Sequence, residues 1–219
     1  MNAKNNSTIK KDTVILGLSH KDVTIHQKNS CYQGFFTMDE YQLSHRLFDG
    51  GESKILSREL FERGHAVVLI PYDAKNDRVV LLEQFRVGAI DHGDTPWLLE
   101  FVAGMFGENE SPIEVAIREA KEEADLTVNE NQIDKVMEYF SSPGGMSEVI
   151  HLYVANINSE NVRGVHGLPC EGEDILLHVM PREKALLLLN NGKITNAATI
   201  IGLQWLQNNF HQLQKKWSS

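Results

Sequence analysis

The chain holds 219 residues, with 21 Lys and Arg against 30 Asp and Glu and a formal net charge of −9. Its length suits one large domain or a standard domain with a smaller companion, and 42% hydrophobic with 23% charged residues excludes a disordered or fibrous chain. The acidic balance argues against nucleic-acid binding, which needs a basic footprint. The longest apolar run, around Leu186–Leu189, falls far short of the ~18 residues of a membrane span. Cys31 and Cys170 are too few for a disulfide scaffold and fit a reducing, cytoplasmic setting.

In chain order, residues 1–12 are polar and predict a flexible tail. Residues 13–60 read as a β-sheet domain, with strands at Val23–His26, Phe35–Phe48 and Ser53–Leu60 and a hairpin turn at Asp49-Gly50-Gly51. Three strands make a thin sheet with little core, which must pack on the rest of the chain or on a second copy. Residues 61–219 carry a different grain. Ala66–Ile70 and Arg78–Gln84 are apolar strands joined by a polar turn, and Trp97–Ala103 is a further strand running into Gly104. Ser111 as N-cap, Pro112 at the first helical position and Glu114 closing a capping box predict a helix. Strands follow at Ile133–Tyr139, Ile150–Asn156 and Ile175–Val179. Two helices close the chain, Arg182–Asn190 stopped by Gly192 and Asn196 to about Lys216, the last with an apolar stripe through Ile200, Leu203, Leu206, Phe210, Leu213 and Trp217. A helix flanked by strands on both sides gives an α/β or α+β class.

On the Ser111-capped helix, Ile113, Ala116, Ile117, Ala120 and Ala124 step by three and four and predict the buried face. Glu119, Glu122 and Glu123 step the same way, so their carboxylates are expected to converge away from it. Across residues 108–125, Glu108, Glu110, Glu114, Glu119, Glu122, Glu123 and Asp125 stand against Arg118 and Lys121. Like charges at this spacing destabilise a helix by roughly 0.2–0.5 kcal/mol per pair, and they crowd the helix end where the macrodipole disfavours anions. A hard divalent cation such as Mg²⁺, held by a few carboxylates and substrate phosphates, removes both penalties.

Gly104, five residues, Glu110, seven residues and then Arg118-Glu119-Ala120-Lys121-Glu122-Glu123-Ala124-Asp125-Leu126 resembles the Nudix box. Asp125 departs from it, standing where the pattern has its final Gly, a position at which helices usually exit in a left-handed conformation. Arg58-Glu59, Phe61 to Ala66, Glu83 to Arg86, Thr95 to Glu100, Ser142-Pro143-Gly144-Gly145 and His166-Gly167-Leu168 extend the likeness to the bacterial ADP-ribose pyrophosphatase branch, from about Gly34 to Trp217.

The resemblance implies a Nudix α/β/α sandwich with an N-terminal antiparallel β-sheet domain, exchanged between subunits of a homodimer. It implies Mg²⁺, with Mn²⁺ as a substitute, held by the Ala103 backbone carbonyl, Glu119, Glu123 and Glu173, with Glu122 beside them. Glu110 would pair with Arg118 to brace the loop. The general base would be Glu171, on a loop that Gly172 is expected to make mobile. Arg58, Arg63 and Arg86 would meet the diphosphate, Phe35 and Phe36 the adenine, and Glu59, Met105, Ser142, Pro143, Gly144 and Glu148 the rest of the substrate. The implied activity is hydrolysis of ADP-ribose to AMP and ribose 5-phosphate. The alternatives are the same chemistry on another nucleoside diphosphate sugar, or a silent ADP-ribose sensor, which would need no metal glutamates.

Overall fold

The computed structural model describes residues 15–107 and 109–217. The expected tail at residues 1–12 and the acid Glu108 lie outside them. The chain divides into two compact units, residues 1–62 and 63–219.

The first unit is an antiparallel sheet of β1 (Val23–Gln33), β2 (Thr37–His45) and β3 (Leu56–Glu62), in the order β1-β2-β3. The expected alternation starts β2 two residues late. Phe35 and Phe36 sit in the β1–β2 connection, not in a strand. The Gly-Gly turn is present, with φ of +93° at Gly50 and +77° at Gly51, but the β2–β3 connection is longer than a tight hairpin and carries an Arg46–Glu52 bridge. β1 is exposed along its whole length. Within this unit Asp39 and Ser44 are buried, while Val23, Ile25, Tyr32 and Phe35 face outward.

The second unit is a mixed sheet between two helical layers. Its spine runs β10 (Val165–His166), β11 (Ile175–Pro181), β5 (Arg78–Phe85), β4 (Ala66–Asp73), β9 (Val149–Asn156) and β8 (Ile133–Phe140). β4 and β9 are parallel and the other pairs antiparallel. The two-residue side-chain period of a strand sorts the core cleanly. Val67, Leu69, Val80, Leu82, Ile175 and Leu177 pack with Val115, Ala116, Ala120 and Ala124 of α1 (Pro112–Ala124). Val68, Ile70, Tyr72, Val79, Leu81, Leu152 and Val154 pack on the other face against α2 (Arg182–Asn190) and α3 (Ala197–Trp217) through Ala185, Leu203, Leu206 and Leu213. Each large side chain so buried contributes about 1.5–3 kcal/mol.

The expected strand Trp97–Ala103 is two strands. β6 (Trp97–Glu100) pairs with β5, and β7 (Val102–Met105) pairs with β4. Between them Phe101 is buried in the α2/α3 core, and its N–H leaves the ladder to donate to Thr199 Oγ1 at 3.2 Å.

Candidate active site

The α1 caps form as the sequence predicts. Ser111 accepts from the Glu114 N–H, and Glu114 Oε2 accepts from the Ser111 N–H at 2.8 Å. Asp125 does take the left-handed exit, φ 50° and ψ 26°, with its N–H on the Lys121 carbonyl, the Leu126 N–H on the Ala120 carbonyl, and its side chain paired with Lys121. A left-handed turn strains most L-residues by about 1–2 kcal/mol, with Asp among the more tolerant. Asp125→Ala is therefore expected to lower stability by about 1 kcal/mol, and Asp125→Gly to match the parent, in thermal melts with activity unchanged.

The buried face of α1 is rotated from the expected one. Val115 and Glu123 are buried, whereas Ile113 and Ile117 are only half-buried. Glu123 thus does not point away from the core. It is 2% exposed, and its Oε2 accepts the Ala103 N–H at 2.8 Å. Leaving one strand ladder for another at Phe101 is what turns β7 so that Ala103 and Gly104 lie against α1.

Arg118 organises the remaining acids. Its Nε and Nη2 grip Glu110 at 2.8 and 2.9 Å, Nη1 reaches Glu119 at 2.7 Å and Glu122 at 3.0 Å, and Nη2 also donates to the Met105 carbonyl at 3.2 Å. Glu110 further accepts the Gly107 N–H at 2.7 Å, tying the loop before α1 to its middle.

Two of these acids are held where a carboxylate is uncomfortable. Burial pushes the Glu123 carboxyl up to about 8, with repulsion from Glu119 and Glu173 adding to it against the pull of the Ala103 N–H. Burial likewise pushes Glu119 up to about 7, partly offset by Arg118. The Glu119 side chain lies across Gly104 so closely that a Cβ there would overlap its carboxylate and its Cγ. A buried acid and a half-buried one, both pushed toward neutrality beside a cradle that only glycine leaves open, fit a hard divalent cation. Among the described residues no three acids or histidines are already drawn together as a cation would draw them. The Arg118 guanidinium supplies the local counter-charge.

The other expected positions fall into groups. Arg86 donates from Nε and Nη2 to Glu100 Oε2 at 2.9 and 2.8 Å, within electrostatic reach of Glu123 and Glu173. Arg63 pairs with Glu148 at 3.3 Å. Glu148 is buried and also accepts from the Ser141 hydroxyl at 2.5 Å, so its carboxylate is engaged inside the protein. Ser142, Pro143 and Gly144 form an exposed turn closed by the Gly145 and Met146 N–H groups on the Ser142 carbonyl at 3.0 Å. Met105 is half-buried. Glu173 accepts the Leu168 N–H at 3.0 Å and is felt by Glu119 and Glu123. Glu171 is exposed on a short 3-10 turn, Pro169–Glu171. The Glu171, Gly172 and Glu173 N–H groups all donate back to Leu168 or Pro169 at 2.9–3.2 Å, and Gly172 ends the turn at φ +73°.

In the first unit, Arg58 and Glu59 are exposed on β3, with Arg58 donating to the Ser57 carbonyl at 2.7 Å. Phe35 and Phe36 meet edge-on, centroids 4.7 Å apart and planes at 78°. Phe36 also packs on Phe61. Rings so crossed do not form a slot for a flat base by themselves.

Glu100 is the residue that residue-by-residue reasoning passed over. It is 3% exposed, and the available signal was a lone acid inside an otherwise apolar strand, Trp97-Leu98-Leu99-Glu100-Phe101-Val102.

Comparison with known proteins agrees with this architecture. A NUDIX domain matches residues 62–199. The ADP-ribose pyrophosphatase of Escherichia coli (strain K12) is 46% identical over 210 residues, covering 96% of this chain and 100% of the relative. That of Haemophilus influenzae is 43% identical over 211 residues, with 95% and 96% covered. The GDP-mannose pyrophosphatase of Escherichia coli O139:H28 is 34% identical over 191 residues, with 85% and 96% covered. Among solved structures, one described as an ADP compounds hydrolase superposes with a TM-score of 0.67 at 20% identity, over 90% of this chain and 98% of its own, and it shares the fold. With a matched domain over residues 62–199 and relatives 43–46% identical over nearly its whole length, the chain belongs to the NUDIX family.

Proposed function

We propose that this NUDIX hydrolase splits the pyrophosphate of ADP-ribose to AMP and ribose 5-phosphate with the help of a divalent cation, Mg²⁺ or in its place Mn²⁺. The observation that carries the reading is the buried Glu123 and half-buried Glu119, with Arg86 within electrostatic reach of Glu123, in a chain whose full-length relatives include ADP-ribose pyrophosphatases. Ala103, Glu119, Glu123 and Glu173 would hold the cation, with Glu122 adjoining. The cation supplies charge neutralisation and a more acidic bound water. The remaining work belongs to the chain. Arg58, Arg63 and Arg86 bind phosphate oxygens, since guanidinium forks match them. Phe35, Phe36, Glu59, Met105, Ser142, Pro143, Gly144 and Glu148 bound the nucleoside and sugar. Glu171 accepts the proton of the attacking water, whose oxygen bonds to one phosphorus as the bridging P–O bond breaks and the bridging oxygen leaves on the other phosphate.

The GDP-mannose relative favours a second reading, the same chemistry on another nucleoside diphosphate sugar. Incubating the pure protein and Mg²⁺ with a panel of nucleoside diphosphate sugars and dinucleotides, and identifying the products, separates the two. ADP-ribose is expected to be hydrolysed best. A higher kcat/KM on GDP-mannose transfers the substrate assignment, and binding without turnover returns the sensor.

Residues 13–60 act, in this proposal, as a dimerisation domain exchanged between two copies. The support is β1, exposed from end to end, and the outward Val23, Ile25, Tyr32 and Phe35, more apolar surface than a small free sheet usually presents. Sedimentation is expected to give a dimer at assay concentration, and a fully active monomer overturns it. No helix among the described residues is long and apolar enough to cross a membrane. Cys31 and Cys170, both free and exposed, suit a cytoplasmic protein.

A further inference from the structure

Glu100 is a buried carboxylate with every contact directed. Its Oε2 accepts from Arg86 Nε and Nη2 at 2.9 and 2.8 Å and from Gln84 Nε2 at 3.2 Å, and its Oε1 accepts from Asn196 Nδ2 at 2.9 Å. Asn196 caps α3, its Oδ1 taking the Thr199 N–H at 3.0 Å and the Thr199 hydroxyl at 3.1 Å. Thr199 Oγ1 in turn accepts the Phe101 N–H at 3.2 Å. A buried charge is tolerated when it is paired and hydrogen-bonded, and here the pairing is with an arginine that also stands in the field of Glu123 and Glu173. Glu100 takes the Nε/Nη2 edge of that guanidinium, and Nη1 makes no hydrogen bond to the described residues. One edge is clamped and the other is offered.

We propose that Glu100 is a positioning residue, braced by Asn196 at the start of the C-terminal helix, which fixes the Arg86 guanidinium with its free edge toward the diphosphate. This rests on the proposed function for the part Arg86 plays. A carboxylate that only stapled β6 to α3 would have no reason to take both nitrogens of one arginine edge, and its loss would act on stability alone.

The test is a double-mutant cycle with Glu100→Gln, Asn196→Ser and Arg86→Ala, read as kcat and KM separately together with melting temperature. Serine keeps an N-cap acceptor for α3 and removes the donor to Glu100. Glu100→Gln is expected to lower kcat/KM about 10- to 100-fold, in the same parameter that Arg86→Ala affects. Asn196→Ser should lower it about fivefold. Either change made on top of Arg86→Ala should cost nothing more, because the group it positions is gone. Losses that multiply in the double variants, or a Glu100→Gln enzyme with parental kcat/KM, overturn the proposal. If Glu100→Gln fails to fold, Asn196→Ser and its double decide alone. The cycle is read on whichever diphosphate the parent hydrolyses, so a parent inactive on ADP-ribose refutes the substrate reading and leaves the coupling between positions 86 and 100 to be judged on its own.

Discussion

Glu123→Gln should nearly abolish turnover while leaving the metal-free protein at least as stable as its parent. A charge lost from the cation site removes several kcal/mol of transition-state stabilisation, about 10²–10⁴ in kcat. Glutamine retains an oxygen for the Ala103 N–H, so the strand–helix contact survives. The stability side follows from the sign of the shift. The Glu123 carboxyl in the folded protein sits near 8, against an ordinary value of about 4.3. The folded state therefore holds its proton more tightly than the unfolded chain does. The associated stability is fully present below the unfolded value and is lost as pH rises through about 8. Glutamine erases that loss, which is of the order of 5 kcal/mol above pH 8 for a carboxyl displaced from about 4.3 to about 8. Melts in chelator at pH 6 and pH 9 should show the parent falling further than the variant. Added Mg²⁺ should raise the parent's melting temperature and not the variant's. Glu119→Gln should behave alike with a smaller pH effect. Full turnover in excess chelator, or a variant equally stabilised by Mg²⁺, refutes the metal assignment.

The second large effect is expected at the loop acids. Glu173 is committed, hydrogen-bonded to the Leu168 N–H and coupled to Glu119 and Glu123. Its position requires Gly167, at φ +101°, where a Cβ would come within 2.7 Å of the Glu173 Cβ. Glu171, two residues before it, is exposed and is the base in the proposed mechanism. Glu171→Gln is accordingly expected to lower kcat by ~10²–10⁴ with KM for ADP-ribose within a few fold. Glu173→Gln should instead shift the Mg²⁺ concentration giving half-maximal rate. Were Glu171→Gln to keep near-parental kcat while Glu173→Gln lost it, the base would be Glu173.

The contrast between these positions shows what a linear sequence reveals. The capping box at Ser111 and the helix Arg182–Asn190 are local events, written in adjacent residues, and both are legible in the sequence. So are the apolar runs of β4 and β5, whereas the left-handed exit at Asp125, where the pattern has Gly, is settled by the structure. The rotation of α1 that buries Glu123 is not legible, because Ala-rich helices offer two overlapping apolar stripes and the strand they meet decides between them. Nor is the break at Phe101, where an uninterrupted run of apolar residues hides a change of partner strand. Phe35 and Phe36 read as strand residues because aromatic residues favour strands, but the chain bends at Gly34 and they fall in the β1–β2 connection.

The Phe101 amide is protected by Thr199 of the C-terminal helix, and the Ala103 amide by Glu123 on the other face of the sheet. Two amides two positions apart are thus expected to exchange through different local openings. Fraying of α3 exposes the first, and loosening of α1 the second. A cation gripping Glu123 would slow exchange at Ala103 and leave Phe101 unchanged, so this short stretch carries one reporter for the catalytic layer and another for the scaffold behind it.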